Sequence, residues 1–374
     1  SSDRPNIVLI LSDDHRHDFM GFHEESPEWL ETPNMDFLAS KGAHLKNAFV
    51  STSLCSPSRA SILTGMYMHR HKVVDNQRAV PEGTVFFPQY LQKLGYHTSF
   101  IGKWHMGHED DTPRPGFDHW VSFIGQGEYF DPTLNVNGKR TKHDGYMTDI
   151  LTDHAIKWHE EIKPKDKPFL LYLSFKAVHY PFTPAPRHEG RYKNKPIPYP
   201  ETMARTEENY YSQSNWIKER RYGIHGIDHM ETGTLDKDPV PSFDNLYWNF
   251  CETIHGLDEN IGRLIKTINS TAKETYLFYM GDNGFALGEH GFYDKRDAFE
   301  ESIRIPMLAY SPGNIPDGLV VDEMIQNIDI APTILSLAGN DPKSIKHKMD
   351  GISFAQLIKG EDQKNKRDHI LYEY

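Results

Sequence analysis

The sequence predicts an α/β fold organised on a mostly parallel sheet. Three observations carry that prediction. Residues 6–11, 169–175 and 276–280 are short, dominantly apolar runs, as strands buried on both faces require. Segments with helical spacing accompany them, chiefly 147–162 and 246–268. Each run also stops at polar residues able to do chemistry, which is where open α/β sheets place their active sites.

The chain of 374 residues is long enough for one large domain plus a smaller one. Its net charge of -12, from 41 basic and 53 acidic residues, excludes nucleic acid as the main partner. An anionic substrate would therefore need a local basic pocket. No apolar run reaches the length of a membrane span, and no signal peptide is present. Residues 1–5 lead almost directly into a strand, as in a processed or trimmed chain. Two cysteines cannot form a disulfide framework that would report the compartment.

In chain order, the first strand ends at Ser12-Asp13-Asp14. Two adjacent carboxylates there can reach a hard cation, or simply cap a turn. Thr32 and Pro33 open a helix, Thr32 as its cap. Cys55-Ser56-Pro57-Ser58-Arg59 comes next, with 57–63 reading as a short helix that Gly65 ends. Cys55 would then sit at a helix N-terminus, where N–H groups and the dipole favour an anion. Arg59, one turn in, could bind an oxyanion through two nitrogens. Spacing alone leaves an activated cysteine and a packed hydrophobic one equally open.

A strand at 98–101 ends in Gly102 and presents Lys103 and His105, an anion clamp and a proton carrier if they share the edge with Asp13 and Asp14. Asn137-Gly138 marks a hairpin. The strand at 169–175 leads to His179, and the strand at 276–280 runs into Gly281-Asp282-Asn283-Gly284. Asp13, Asp14, Asp282 and Asn283 make an all-oxygen set, suited to Ca²⁺ or Mg²⁺ rather than zinc. Lys295 follows. In 246–268 the apolar positions recur at helical spacing, and Cys251 flanks their stripe as a structural thiol. Asp329 to Gly339 reads as a capped helix closing the core.

Cys55-Ser56-Pro57-Ser58-Arg59, continuing to Leu63-Thr64-Gly65, resembles the signature of the type I sulfatases. Arg4 to Asp14, Thr32-Pro33-Asn34, Gly102 to His105, Asp258 to Arg263, Gly281 to Gly284 and Asp329 to Thr333 are similar to family blocks in the same order. The resemblance implies the alkaline-phosphatase-like fold, a large mixed sheet sandwiched by helices. It implies that Cys55 is oxidised to formylglycine by a formylglycine-generating enzyme, its hydrate being the nucleophile. It also implies a calcium held by Asp13, Asp14, Asp282, Asn283 and the modified residue 55, with Arg59, Lys103, His105, His179 and Lys295 around the sulfate. His179 or Lys295 would protonate the leaving alcohol, and His105 would act as base when sulfate is expelled.

On this reading residues 1–374 form one domain, acting on a sulfated saccharide in the periplasm or outside the cell. Residues 340–374 lead toward the family's small C-terminal sheet subdomain, which is missing or cut. Residues 180–243, rich in bases and aromatics, would be an insertion walling the substrate cleft, with Arg187, Arg191 and His225 reading a further negative charge. The alternatives are a phosphonate or phosphate monoester hydrolase of the same superfamily, or an inactive carbohydrate-binding relative.

Overall fold

The computed structural model describes residues 3–232 and 242–374. Ten strands form its main sheet: β1 Asn6–Ser12, β2 Ala43–Leu45, β3 His97–Lys103, β4 His119–Phe123, β5 Thr133–Val136, β6 Lys139–Lys142, β7 Phe169–Ser174, β8 Thr275–Gly281, β9 Met307–Tyr310 and β10 Leu319–Val321. Their spatial order is β10-β2-β9-β8-β1-β7-β3-β4-β5-β6. The centre, β8-β1-β7-β3-β4, is parallel, while β9 runs antiparallel to β8 and β2, and β5 and β6 antiparallel to their neighbours. The sheet is thus mixed and mostly parallel at its core, as the apolar runs predict.

Alternation along β1 explains why that run has no polar gaps. Val8 and Ile10 enter one core, Ile7, Leu9 and Leu11 the other, and all five are fully buried. Burying each such side chain contributes about 1.5–3 kcal/mol relative to leaving it exposed. The first core is covered by α1 (Pro33–Lys41), α3 (Met147–Lys157) and α4 (Phe243–Asn269). The second is covered by α2 (Cys55–Thr64) and α5 (Ile330–Leu337). Helices therefore sandwich the sheet.

Leu246, Phe250, Ile254, Leu257, Ile261, Leu264 and Ile268 are the buried stripe of α4, and Cys251 is buried beside them. Burial raises the Cys251 thiol well above its ordinary range, so it is an inert packing group. Asn137 and Gly138 turn the β5–β6 hairpin with φ of 51° and 93°, both in the left-handed region that a tight hairpin needs. No helix of the described residues is long and apolar enough to cross a membrane.

Two expected caps differ. Thr32 occupies the position before α1, but its hydroxyl accepts from Gly21 N–H and donates to Asp36. The first N–H groups of α1 are satisfied instead by Asp258 of α4, which accepts from Asn34 N at 3.1 Å and Met35 N at 2.7 Å. Asp329 does not cap α5; its carboxylate accepts from Gln326 N and Ile352 N, each at 2.8 Å, and pairs with Arg367. The helix expected over 147–162 is α-helical only to Lys157 and continues as one wider turn, Trp158–Ile162.

Segment 180–243 contains turns at Pro186–His188 and Glu201–Met203 and a helix at Asn215–Arg221; its residues 233–241 lie outside the described ones. Residues 340–374 run over the second core, where Phe354 and Ile358 are buried.

Candidate active site

Four neighbouring strands deliver the chemistry to one edge. Asp13 and Asp14 follow β1, Lys103 ends β3, Lys176 and His179 follow β7, and Asp282 and Asn283 follow β8. The close approach of β3 to β7 needs a glycine. Gly102 has φ +121°, and a Cβ there would lie 1.7 Å from the Ser174 carbonyl oxygen.

Cys55 is the first residue of α2, after extended Leu54, and Gly65 ends the helix in left-handed conformation with φ 67°. The thiol is fully buried. Lys295 Nζ donates to its Sγ at 2.9 Å, and Sγ donates to Asp13 Oδ1 at 3.5 Å. Burial, then Asp13, pushes the Cys55 thiol up to about 12, so it carries no thiolate at neutral pH.

Arg59 is held by Asp282, through Nη2 at 3.0 Å and Nε at 3.2 Å, and lies 3.6 Å from Asp13. Its Nη1 donates to the Lys103 carbonyl at 2.9 Å and to Ser174 Oγ. Lys103 pairs with Asp13, and Lys295 with Asp14. Burial pushes Asp13 up, but the cations Lys103, Arg59 and Lys295 overcome it and hold the carboxyl well below its usual range. Asp14, with Asp13 and Asp282 as like-charged neighbours in addition to burial, is pushed up to about 7 despite Lys295.

The carboxylates of Asp13, Asp14 and Asp282 each bring an oxygen within 4.8 Å of the others. Asn283 donates through Nδ2 to Asp14 at 2.7 Å, while its Oδ1 is buried with no hydrogen-bond partner. A buried acceptor without a donor is rare, and a bound cation would supply the partner it lacks. Three carboxylates and an orphaned amide oxygen fit a hard divalent ion such as Ca²⁺.

Both histidines stand at this cluster. His105 Nδ1 meets Ser56 Oγ at 3.2 Å, its Nε2 is buried without a partner, and burial with Lys103 and Arg59 nearby keeps the ring neutral. His179 Nε2 lies 4.0 Å from Asp14, and burial lowers its affinity for a proton in the same way.

Of the three bases expected to read substrate, two are engaged elsewhere. Arg187 forms two bonds to Asp149, at 2.7 and 2.8 Å, and one to Glu259 at 3.2 Å; Arg191 pairs with Glu31. Arg187 thus ties the segment to α3 and α4, and Arg191 ties it to the loop before α1. His225 is nearer, with Nδ1 3.6 Å from Asp294, the residue before Lys295. Ser174, Gln126 and Lys176 also belong to the site's surroundings and were not singled out by sequence. Gln126 and Ser174 are ordinary polar residues with no motif. Lys176 lies three residues before His179 and carries the one readable hint.

A family model described as Sulfatase matches residues 5–340. The N-acetylglucosamine-6-O-sulfatase of Bacteroides thetaiotaomicron is 32% identical over 432 residues, covering 99% of this chain and 75% of that protein. A solved structure in complex with its substrate, D-glucosamine-2-N,6-O-disulfate, matches with TM-score 0.81 and 31% identity over 97% of this chain and 82% of that one. The phosphonate monoester hydrolase of Agrobacterium radiobacter shares the fold, with TM-score 0.77 and 19% identity over 98% of this chain and 79% of the other.

Proposed function

The chain belongs to the sulfatase family and is a sulfuric ester hydrolase; from that premise we propose that it removes the 6-O-sulfate of a sulfated, N-substituted glucosamine, with residue 55 acting as formylglycine beside a bound calcium. The observation that carries the reading is the setting of Cys55. It is buried at a helix N-terminus, against Lys295 and Asp13, with its thiol raised to about 12. A cysteine so placed is a poor nucleophile as it stands, whereas an aldehyde hydrate there would face three cationic side chains and a metal-binding acid set. The sugar is chosen because relatives at about 30% identity act on, or are bound to, 6-sulfated glucosamines.

When present, formylglycine would supply the nucleophilic hydroxyl and calcium the charge that polarises the sulfate, with Asp13, Asp14, Asp282 and Asn283 holding the ion. The remaining work falls to side chains. Arg59, Lys103 and Lys295 neutralise the sulfate oxygens, which removes the repulsion that an anionic ester offers any nucleophile. Arg59 and Lys103 are prealigned by Asp282, Ser174 and Asp13, so little reorganisation is left for the reaction. Lys295, kept charged by Asp14, serves the leaving oxygen with a proton. His105, neutral and with Nε2 unengaged, is the base for release of sulfate. Maturation would need a formylglycine-generating enzyme, and a periplasmic or secreted setting suits a polysaccharide-degrading enzyme.

Sulfate release should be measured from D-glucosamine-2-N,6-O-disulfate, N-acetylglucosamine-6-sulfate, a 4-nitrophenyl sulfate and a phosphonate monoester. The 6-sulfated sugars should be turned over fastest, with an aldehyde at residue 55 found by peptide mass and no turnover by Cys55→Ser. A faster rate on the phosphonate ester, or parent-like turnover by Cys55→Ser, defeats the proposal.

A further inference from the structure

We propose that Lys176 is a specificity-determining residue: a buried ammonium that, through Gln126, adds to the sulfate pocket a cation that no carboxylate pairs, and so selects an anionic occupant. The inference rests on the sulfatase reading, and it concerns a residue outside the set that carries the family resemblance.

The starting point is an imbalance. Within the cluster, Asp13 is paired with Lys103, Asp14 with Lys295 and Asp282 with Arg59. His105 and His179 are neutral by burial. Lys176 is 3% exposed, as deeply buried as these, yet among the described residues it forms no ion pair. Its ammonium donates to the Gln126 carbonyl at 3.1 Å and lies 4.7 Å from the centre of the Tyr129 ring. A lysine carries three donors, so two N–H groups have no hydrogen-bond acceptor among the described residues. Buried charges are normally paired, because leaving one uncompensated in a low dielectric is costly.

Position gives the surplus a purpose. Gln126 bridges the two lysines, its carbonyl accepting from Lys176 and its side-chain oxygen from Lys103. Tyr129, under the Lys176 ammonium, donates its hydroxyl to the His179 carbonyl at 2.7 Å. The His179 N–H in turn bonds to the Lys176 carbonyl at 3.0 Å. The lone cation is therefore locked to the two residues that border the pocket, His179 and Lys103. Burial and Lys103 lower Lys176 to about 8, which still leaves it charged at neutral pH. An anion entering the pocket recovers the cost of that charge; a neutral molecule does not. The glycan's hydroxyls and the desulfated product gain nothing from it.

The test uses mature, calcium-loaded protein and three variants, Lys176→Met, Lys176→Arg and Lys176→Gln. Inhibition constants are measured for inorganic sulfate and for the neutral desulfated sugar, with KM, kcat and Tm alongside. Losing a charge-assisted contact should raise the sulfate constant and KM by about tenfold or more in Lys176→Met. The neutral sugar should bind as before, and Lys176→Arg should restore most of the sulfate affinity. Lys176→Gln removes the charge but keeps a donor for the Gln126 carbonyl, so it should weaken sulfate too, which covers the case of a poorly folding Lys176→Met. A sulfate constant within twofold of the parent in either neutralising variant overturns the proposal. So does equal weakening for sulfate and neutral sugar, the mark of a merely structural lysine. If the parent releases sulfate from no ester, the functional reading fails, while calorimetric binding of inorganic sulfate to parent and variants still decides the role of Lys176.

Discussion

His71 should make the protein sensitive to mild acid, and the sign and size follow from its contacts. It is 2% exposed and packs behind α2. Val73 N–H donates to its Nδ1 at 3.1 Å, so that nitrogen carries no hydrogen; Nε2 then holds the proton and donates to Ser61 Oγ at 2.9 Å. A second proton on Nδ1 would break the bond from Val73 and place a charge inside the core. Burial accordingly lowers His71 from 6.5 to about 4. Because the folded value is the depressed one, the stabilisation is present above the unfolded value and lost as pH falls between 6.5 and about 4. Between pH 7 and pH 5 the two values imply a loss of about 2 kcal/mol from this residue. Urea unfolding at both pH values, in the parent and in His71→Gln, isolates it, since the other buried histidines contribute equally to both proteins. The pH 7 to pH 5 loss should be about 2 kcal/mol smaller in the variant. An identical loss in the two proteins would refute the reasoning.

Two further substitutions probe the scaffold that positions the site. Gly102→Ala would put a Cβ 1.7 Å from the Ser174 oxygen at φ +121°, so urea unfolding should show a loss above about 4 kcal/mol, with sulfate release abolished. Asp258→Ala strips α1 of the carboxylate that accepts from Asn34 and Met35, and should cost about 2 kcal/mol in the same assay, with Asp258→Asn recovering part of it.

The parts of the site that sequence exposes are those fixed by local chain direction. A strand buried on both faces must be apolar throughout, so its end is conspicuous; Lys103 closes one such strand, and Asp13, His179 and Asp282 follow the ends of three others. Cys55 is legible because proline, arginine and glycine around it state a helix and its limits. What stays hidden depends on partners distant in the chain. Arg187 and Arg191 read as free cations, but Asp149, Glu259 and Glu31 neutralise them from other elements. Thr32 reads as a cap because nothing local reveals that Asp258, more than two hundred residues on, does that job. Lys176 is marked in the sequence only by its nearness to His179, and the folded environment alone shows it buried without an ion pair.

The order of strands in the sheet also sets the order in which the molecule can be made. β1 is synthesised first, yet its two hydrogen-bonding edges belong to β7 and β8, with Ile7 opposite Leu170 on one side and Tyr276 on the other. As the chain emerges from the ribosome, five consecutive large aliphatic residues wait until residues 169–174 before one edge is covered, and until residues 275–281 before the other is. Loop closure over such spans is slow, and unpaired apolar strands invite association with other chains meanwhile. Refolding from denaturant should therefore be slow and strongly concentration-dependent in yield. Fragments that stop before residue 275 lack the β8 edge and the Asp282–Asn283 corner together, so truncation removes activity and solubility in one step.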